Sequence, residues 1–183
     1  MKGNGADREV FAVASVAFSL VALVLAFGAL ATAARYDSRN AAINKRVDKL
    51  AAAGVIGTTA TVTLQEFSIA VHPGLVQSGS VSLTVSNIGS ITHELVIVRA
   101  ASASALPRVK KAGERSVGAV DEEAIAETDK MGESGDVVAG TTVTKKFNLP
   151  PGTYIMFCNI DTKAKSSVVN HFTHGMVASL VVV

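Results

Sequence analysis

Ser80 to Asn87 reads SVSLTVSN, with Val81, Leu83 and Val85 apolar and Ser80, Ser82, Thr84 and Ser86 polar between them. Alternation of this kind marks a strand with one face buried, because successive side chains leave a strand on opposite sides. The same texture recurs on either side. Thr61 to Ala70 (TVTLQEFSIA), His93 to Arg99 (HELVIVR), Thr141 to Leu149 (TTVTKKFNL), Thr153 to Asn159 (TYIMFCN) and Met176 to Val183 (MVASLVVV) are short runs rich in Val, Thr, Ile and Phe. His72-Pro73-Gly74, Ser78-Gly79-Ser80 and Pro150-Pro151-Gly152 separate several of them with turn chemistry. Six such runs from Thr58 onward predict an all-β domain over 58–183, an antiparallel sandwich or barrel with Greek-key connections.

Upstream the texture is different. Val10 to Ala34 (VFAVASVAFSLVALVLAFGALATAA) holds no charged residue and exceeds the roughly 20 residues that a helix needs to cross a hydrocarbon core. Lys2, Asp7, Arg8 and Glu9 precede it, and Arg35, Asp37 and Arg39 follow. This predicts a short tail (1–9) and one transmembrane helix (10–34). Small residues around Ala29 to Ala33 also suit a cleavage site, but the apolar region of a signal peptide is about 7–15 residues, so an uncleaved anchor is the favoured reading. In 35–57, Ala41, Ile43, Val47, Leu50 and Ala51 fall near helical spacing among charges, which predicts a helical stalk ending at Gly54 and Gly57. Lys and Arg are slightly more frequent after the span than before it, a bias too small to orient a long following domain.

Composition narrows the function classes. Among 183 residues, 49% are hydrophobic and 17% charged, which excludes a disordered chain. A formal net charge of +2 suggests no attraction to nucleic acid. The domain from Thr58 carries ten basic and eleven acidic residues, so the excess lies in the anchor and stalk. Between about 100 and 140 the alternation lapses. Arg108, Lys110, Lys111 and Arg115 precede Asp121, Glu122, Glu123, Glu127, Asp129, Glu133 and Asp136, which reads as a charged, solvated insertion with a helical turn or two, or less readily as a docking patch.

The chemistry rests on few residues. There is one cysteine, Cys158, which excludes an intrachain disulfide, a CxxC redox pair and a four-Cys zinc site. There are four histidines, and His93, His171 and His174 stand with Cys158 at strand ends or in the loop before the last strand, where Met176 follows; His72 reads as a turn residue. Singly, each has an ordinary reading: Cys158 as a buried thiol on the inner sheet face, His93 and His171 as turn partners, Met176 as core. Together they form a soft set of thiolate, imidazoles and thioether, which suits copper in a mononuclear site; zinc is the rival but has little use for a thioether.

Three segments carry a family resemblance. NIGSITHEL (Asn87 to Leu95) resembles the N-x-G-x-x-x-H stretch of cupredoxins, the plastocyanin and azurin kind of blue-copper protein; PPGTYIMFCNI (Pro150 to Ile160) resembles their P-G-x-Y-x-x-x-C stretch; and HFTHGM (His171 to Met176) resembles their H-x-x-x-G-M ending. The resemblance implies His93, Cys158, His171 and the axial Met176 as ligands of one copper ion, with His174 as a weaker rival to His171. Asn87 and Glu94 are expected to orient the ligands from behind. Twelve residues separate Cys158 from His171, where well-known members have only a few, and the intervening DTKAKSSVVN is polar and reads as a flexible loop.

The implied function is one-electron transport between redox protein partners, a donor and an acceptor, by a membrane-anchored carrier that is not an enzyme and takes no small-molecule substrate. Family members work outside the cytoplasm, which implies a single-pass protein of the cell membrane with its copper domain on the extracytoplasmic side. A copper storage or delivery protein, or a β-sandwich interaction domain on a membrane stalk without a redox role, are the alternatives. Copper enzymes fail on counting, since multicopper oxidases need further His and binuclear respiratory sites need two Cys.

Overall fold

The computed structural model describes residues 40–183 apart from 48, 51, 55, 112, 114, 165 and 166. Two compact units divide at Lys49 and Leu50. In the first, residues 40–47 are helical and mostly exposed, where the stalk is expected. The expected span over 10–34 lies outside the described residues, and no helix among those described is long and apolar enough to cross a membrane.

Among its described residues, the second unit holds eleven strands in two main sheets and a hairpin. One sheet has the order β2 (Ser68–His72), β1 (Thr59–Gln65), β4 (Gly79–Asn87), β7 (Thr142–Leu149). The other has the order β3 (Leu75–Val76), β11 (Val177–Val182), β8 (Gly152–Phe157), β5 (Val96–Arg99), β6 (Lys130–Glu133). Strand β4 shows the alternation quoted above: Val81, Leu83 and Val85 are fully buried, and Thr84 and Ser86 pair their hydroxyls with Thr144 and Thr142 of β7 on the outer face. Ala60, Val62 and Leu64 of β1, Phe147 and Leu149 of β7, Ile97 of β5, Tyr154 and Met156 of β8, and Leu180 and Val182 of β11 join them in one core. This is a β-sandwich built from the inward faces of both sheets.

Four expectations are corrected. Thr61 to Ala70 is not one strand: β1 turns at Glu66 and Phe67 into β2, which pairs back on it antiparallel from Gln65↔Ser68 to Thr61↔His72. Glu66 has the parity of Val62 and Leu64, so a continued strand would aim a carboxylate into the core. The pairing is also mixed rather than purely antiparallel. β1 lies parallel to β4, and β3 parallel to β11, because the chain visits the second sheet at β3 before β4 returns beside β1.

The insertion at 100–140 is not merely solvated. Its described residues include β6 and three short 3-10 turns, and it buries Leu106, Val120 and Ile125 against Val96, Val98, Ile155 and Phe157 on the outer face of the second sheet. Strands β5 and β8 are accordingly covered on both sides, as their unbroken runs VIV and YIMF require. Phe172 closes the same cluster, edge-on to Phe157 with centroids 5.7 Å apart and with the Arg108 guanidinium 3.9 Å over its ring. Finally, the stretch after Cys158 contains an antiparallel hairpin, β9 (Asp161–Ala164) with β10 (Ser167–Asn170), instead of an unstructured loop.

Candidate metal centre

His93 comes just before β5, held by a two-way backbone exchange with Val137: His93 N–H donates to the Val137 carbonyl at 3.1 Å and Val137 N–H returns the bond at 2.7 Å. Cys158 follows β8, and its N–H donates to the Met176 carbonyl at 3.2 Å. His171 follows β10 and starts a 3-10 turn, Phe172–His174, that ends at Gly175 with φ 98°. That left-handed glycine turns the chain back so that Met176 N–H donates to the His171 carbonyl at 3.1 Å just before β11 begins.

Strand ends from distant parts of the chain thereby bring three side chains to one point. His93 Nδ1 lies 3.0 Å from His171 Nδ1, Cys158 Sγ lies 3.2 Å from His171 Nδ1, and Cys158 Sγ lies 3.9 Å from His93 Nδ1. All three residues are fully buried, and so is Met176, which shares the core cluster with Cys158. A triangle with those sides has its centre about 2.0 Å from each corner, and metal bonds to imidazole nitrogen and thiolate sulfur are about 2.0–2.3 Å. The donors therefore fit a single soft metal ion. His174 does not join them. It is exposed, and its Nδ1 is 2.8 Å from the Asn170 carbonyl oxygen. His72 is an exposed residue at the end of β2.

Electrostatics agree with a metal site. Burial pushes the Cys158 thiol up to about 11, against the partial relief of a Glu94 N–H that donates to Sγ at 3.4 Å. Burial first, and the neighbouring His93 second, bring His171 down to about 4. Burial also lowers His93. Both imidazoles are therefore neutral ligands at neutral pH, and the thiol needs a metal to replace its proton.

The surrounding residues hold these groups in place. Asn87 donates through Nδ2 to the carbonyls of Ile91 at 2.7 Å and Val137 at 2.8 Å, and its Oδ1 accepts the Gly89 N–H at 2.9 Å, so it binds the loop before His93 to its bridge partner. Glu94 Oε1 accepts the Asn159 N–H at 3.0 Å, beside the cysteine. Its carboxyl is raised by burial and by the carboxylates of Glu122 and Glu133. Asn159 in turn exchanges bonds with the backbone of Val120, which fastens the residue after Cys158 to the insertion.

Two neighbours of the imidazoles were not anticipated. Thr162 Oγ1 of β9 is 2.8 Å from His171 Nε2, a contact that exists only because DTKAKSSVVN folds into a hairpin. Glu66 Oε1 is 3.6 Å from His93 Nε2. Its signal in the sequence is the charge at an inward parity noted above. Phe67 beside it lies against both His171 and His174, with centroid distances of 5.1 and 5.3 Å.

No protein-family model and no curated protein matches the chain. Solved structures do. An auracyanin from Roseiflexus castenholzii is 20% identical over 70% of this chain and 98% of its own, with a TM-score of 0.46. Auracyanin A from Chloroflexus aurantiacus, described as a "blue" copper protein, is 19% identical over 68% of this chain and 97% of its own, at 0.42. Rusticyanin from Thiobacillus ferrooxidans is 16% identical over 69% and 78%, at 0.38. With these TM-scores below 0.5, it is the converging donors and not these likenesses that carry a functional reading.

Proposed function

We propose that this chain is a mononuclear blue copper protein that carries single electrons, in which His93, Cys158 and His171 would hold the copper ion and the Met176 thioether would be its weaker fourth donor. The observation that carries the reading is the convergence of one thiol and two imidazole Nδ1 atoms within 3.0–3.9 Å of one another, all buried. Copper, when bound, supplies a one-electron Cu(I)/Cu(II) couple. The protein's part is to hold a fixed donor set. Cys158 gives up its proton to become thiolate, and His93 and His171 present neutral nitrogens. The backbone bonds through Val137, Ile160 and Met176 pin all three residues where sheet and loops meet. Ligands fixed in this way need little movement between the two oxidation states, and burial keeps water off the metal. One electron enters from a reduced redox protein and leaves to an oxidised one, so the role is that of a carrier and not an enzyme.

The same proposal anchors the chain through 10–34 and sets the copper domain on the extracytoplasmic side of the cell membrane. Its support is the length of the uncharged segment and the resemblance to proteins that work outside the cytoplasm. A C-terminal reporter active only in the cytoplasm would overturn that placement.

The decisive experiment is reconstitution with Cu(II). An intense visible thiolate-to-copper absorption is expected, lost in Cys158→Ser. A colourless, redox-silent protein would sink the carrier reading.

A further inference from the structure

The His93 imidazole is fully buried, and its Nδ1 faces His171 and Cys158. Its other nitrogen, Nε2, has no hydrogen-bond partner among the described residues. Buried polar atoms are nearly always paired, so such a group calls for an explanation. What Nε2 faces is the carboxylate of Glu66, 3.6 Å away and about half an ångström beyond a good hydrogen bond.

That carboxylate is held in a built cradle. Where β1 ends, Glu66 reaches across to the loop before His93, and Oε1 accepts the N–H groups of Ser90 at 2.6 Å and Ile91 at 2.9 Å, with the Ser90 hydroxyl at 3.3 Å. Successive backbone N–H groups aimed at one oxygen make an anion nest. Gly89 completes it. A Cβ at Gly89 would lie 2.6 and 2.7 Å from the two carboxylate oxygens, and its backbone is not in the left-handed region. A side chain at 89 would therefore displace the carboxylate from its nest.

We propose that Glu66 is the positioning residue of His93: its carboxylate keeps the imidazole proton on Nε2 and so leaves Nδ1 free as the metal-facing donor. Without that partner, the proton on Nδ1 is the better-paired arrangement, since Nδ1 has the His171 nitrogen and the Cys158 sulfur beside it. A carboxylate behind an imidazole also makes it a stronger donor, which favours Cu(II) over Cu(I). This second consequence rests on the copper reading; the tautomer does not.

The test uses the full chain, as wild type, Glu66→Gln, Glu66→Ala and Gly89→Ala. Nitrogen-15 chemical shifts of His93 in the metal-free protein report which ring nitrogen is protonated. Wild type is expected to hold the proton on Nε2, and Glu66→Ala and Gly89→Ala to move a substantial population to Nδ1. On copper loading, Glu66→Gln is expected to weaken Cu(II) about tenfold with Cu(I) little changed, which raises the potential by about 59 mV. Glu66→Gln keeps the shape and the acceptor oxygen, so it remains informative if Glu66→Ala or Gly89→Ala fails to fold. Variants with the wild-type tautomer and the wild-type potential would overturn the proposal. Should wild type stay colourless, the copper reading fails, and the His93 tautomer still decides the role of Glu66.

Discussion

Cys158 Sγ and His171 Nδ1 lie 3.2 Å apart although twelve residues, with the paired strands β9 and β10 among them, separate them in the chain. The hairpin leaves and returns to the same point, because its first and last residues are tied together. Asn170 Nδ2 donates to the Asn159 carbonyl and to Asp161 Oδ1, both at 2.9 Å. A long insertion between two ligands is harmless to the site when its ends are fastened in this way.

Removing one histidine should separate ligand from neighbour. His171→Ala is expected to abolish the visible copper band, whereas His174→Ala should retain it with copper affinity within a few-fold of wild type. Copper titration followed by absorption checks this. Equal losses from the two variants would show that the loop has been misassigned.

The hairpin is expected to act on the metal through Thr162. Thr162→Val removes the oxygen beside His171 Nε2 and keeps the side-chain volume. Copper affinity should fall about 10- to 100-fold, the usual loss when a ligand's outer partner is deleted. Competition with a chelator gives the number, and an unchanged affinity would dismiss the contact.

Copper loading should release one proton per ion over the range from about pH 7 to 9. Cys158, raised to about 11, is protonated throughout that range and must lose its proton, whereas His171, lowered to about 4, has none to lose. Affinity should therefore rise about tenfold per pH unit and steepen only in more acid solution. Calorimetry in buffers of different ionisation enthalpy measures the count. Two or three protons at pH 7 would mean imidazoles that are not buried as described.

The metal-free fold should lose stability as pH falls from 6.5 toward 4. In that window an unfolded histidine takes up a proton, while buried His171, with its folded value depressed, does not. Urea midpoints of the apo protein should drop across this window, and His171→Phe should flatten the dependence.

The insertion at 100–140 should prove structural. Ile125→Asp places a charge against Val96, Val98 and Phe157, and Leu106→Ala opens a cavity in the same cluster, for which about 2–5 kcal/mol is the common loss. Denaturant unfolding checks both. A change below about 0.5 kcal/mol would return this segment to the status of a solvated loop.

The β class and most strand positions are legible in the residues, because period-two burial is a local property: Val81, Leu83 and Val85 announce their face without reference to any other strand. The sequence also singled out His93, Cys158, His171 and Met176 as a group. How they meet came from the packing, since the distances among His93, Cys158 and His171 depend on where β5 begins and where β8 and β10 end relative to one another. It buries His171 and exposes His174, three residues on, which the resemblance had ranked as the weaker rival. It turned a polar ten-residue stretch into the hairpin that supplies Thr162. The packing also made a charged insertion into the second cover of a sheet whose runs VIV and YIMF had no polar face to show. Glu66 is the clearest case: its parity signalled that β1 must end, but only the crossing of β1 past the loop at Gly89 could set its carboxylate beside His93.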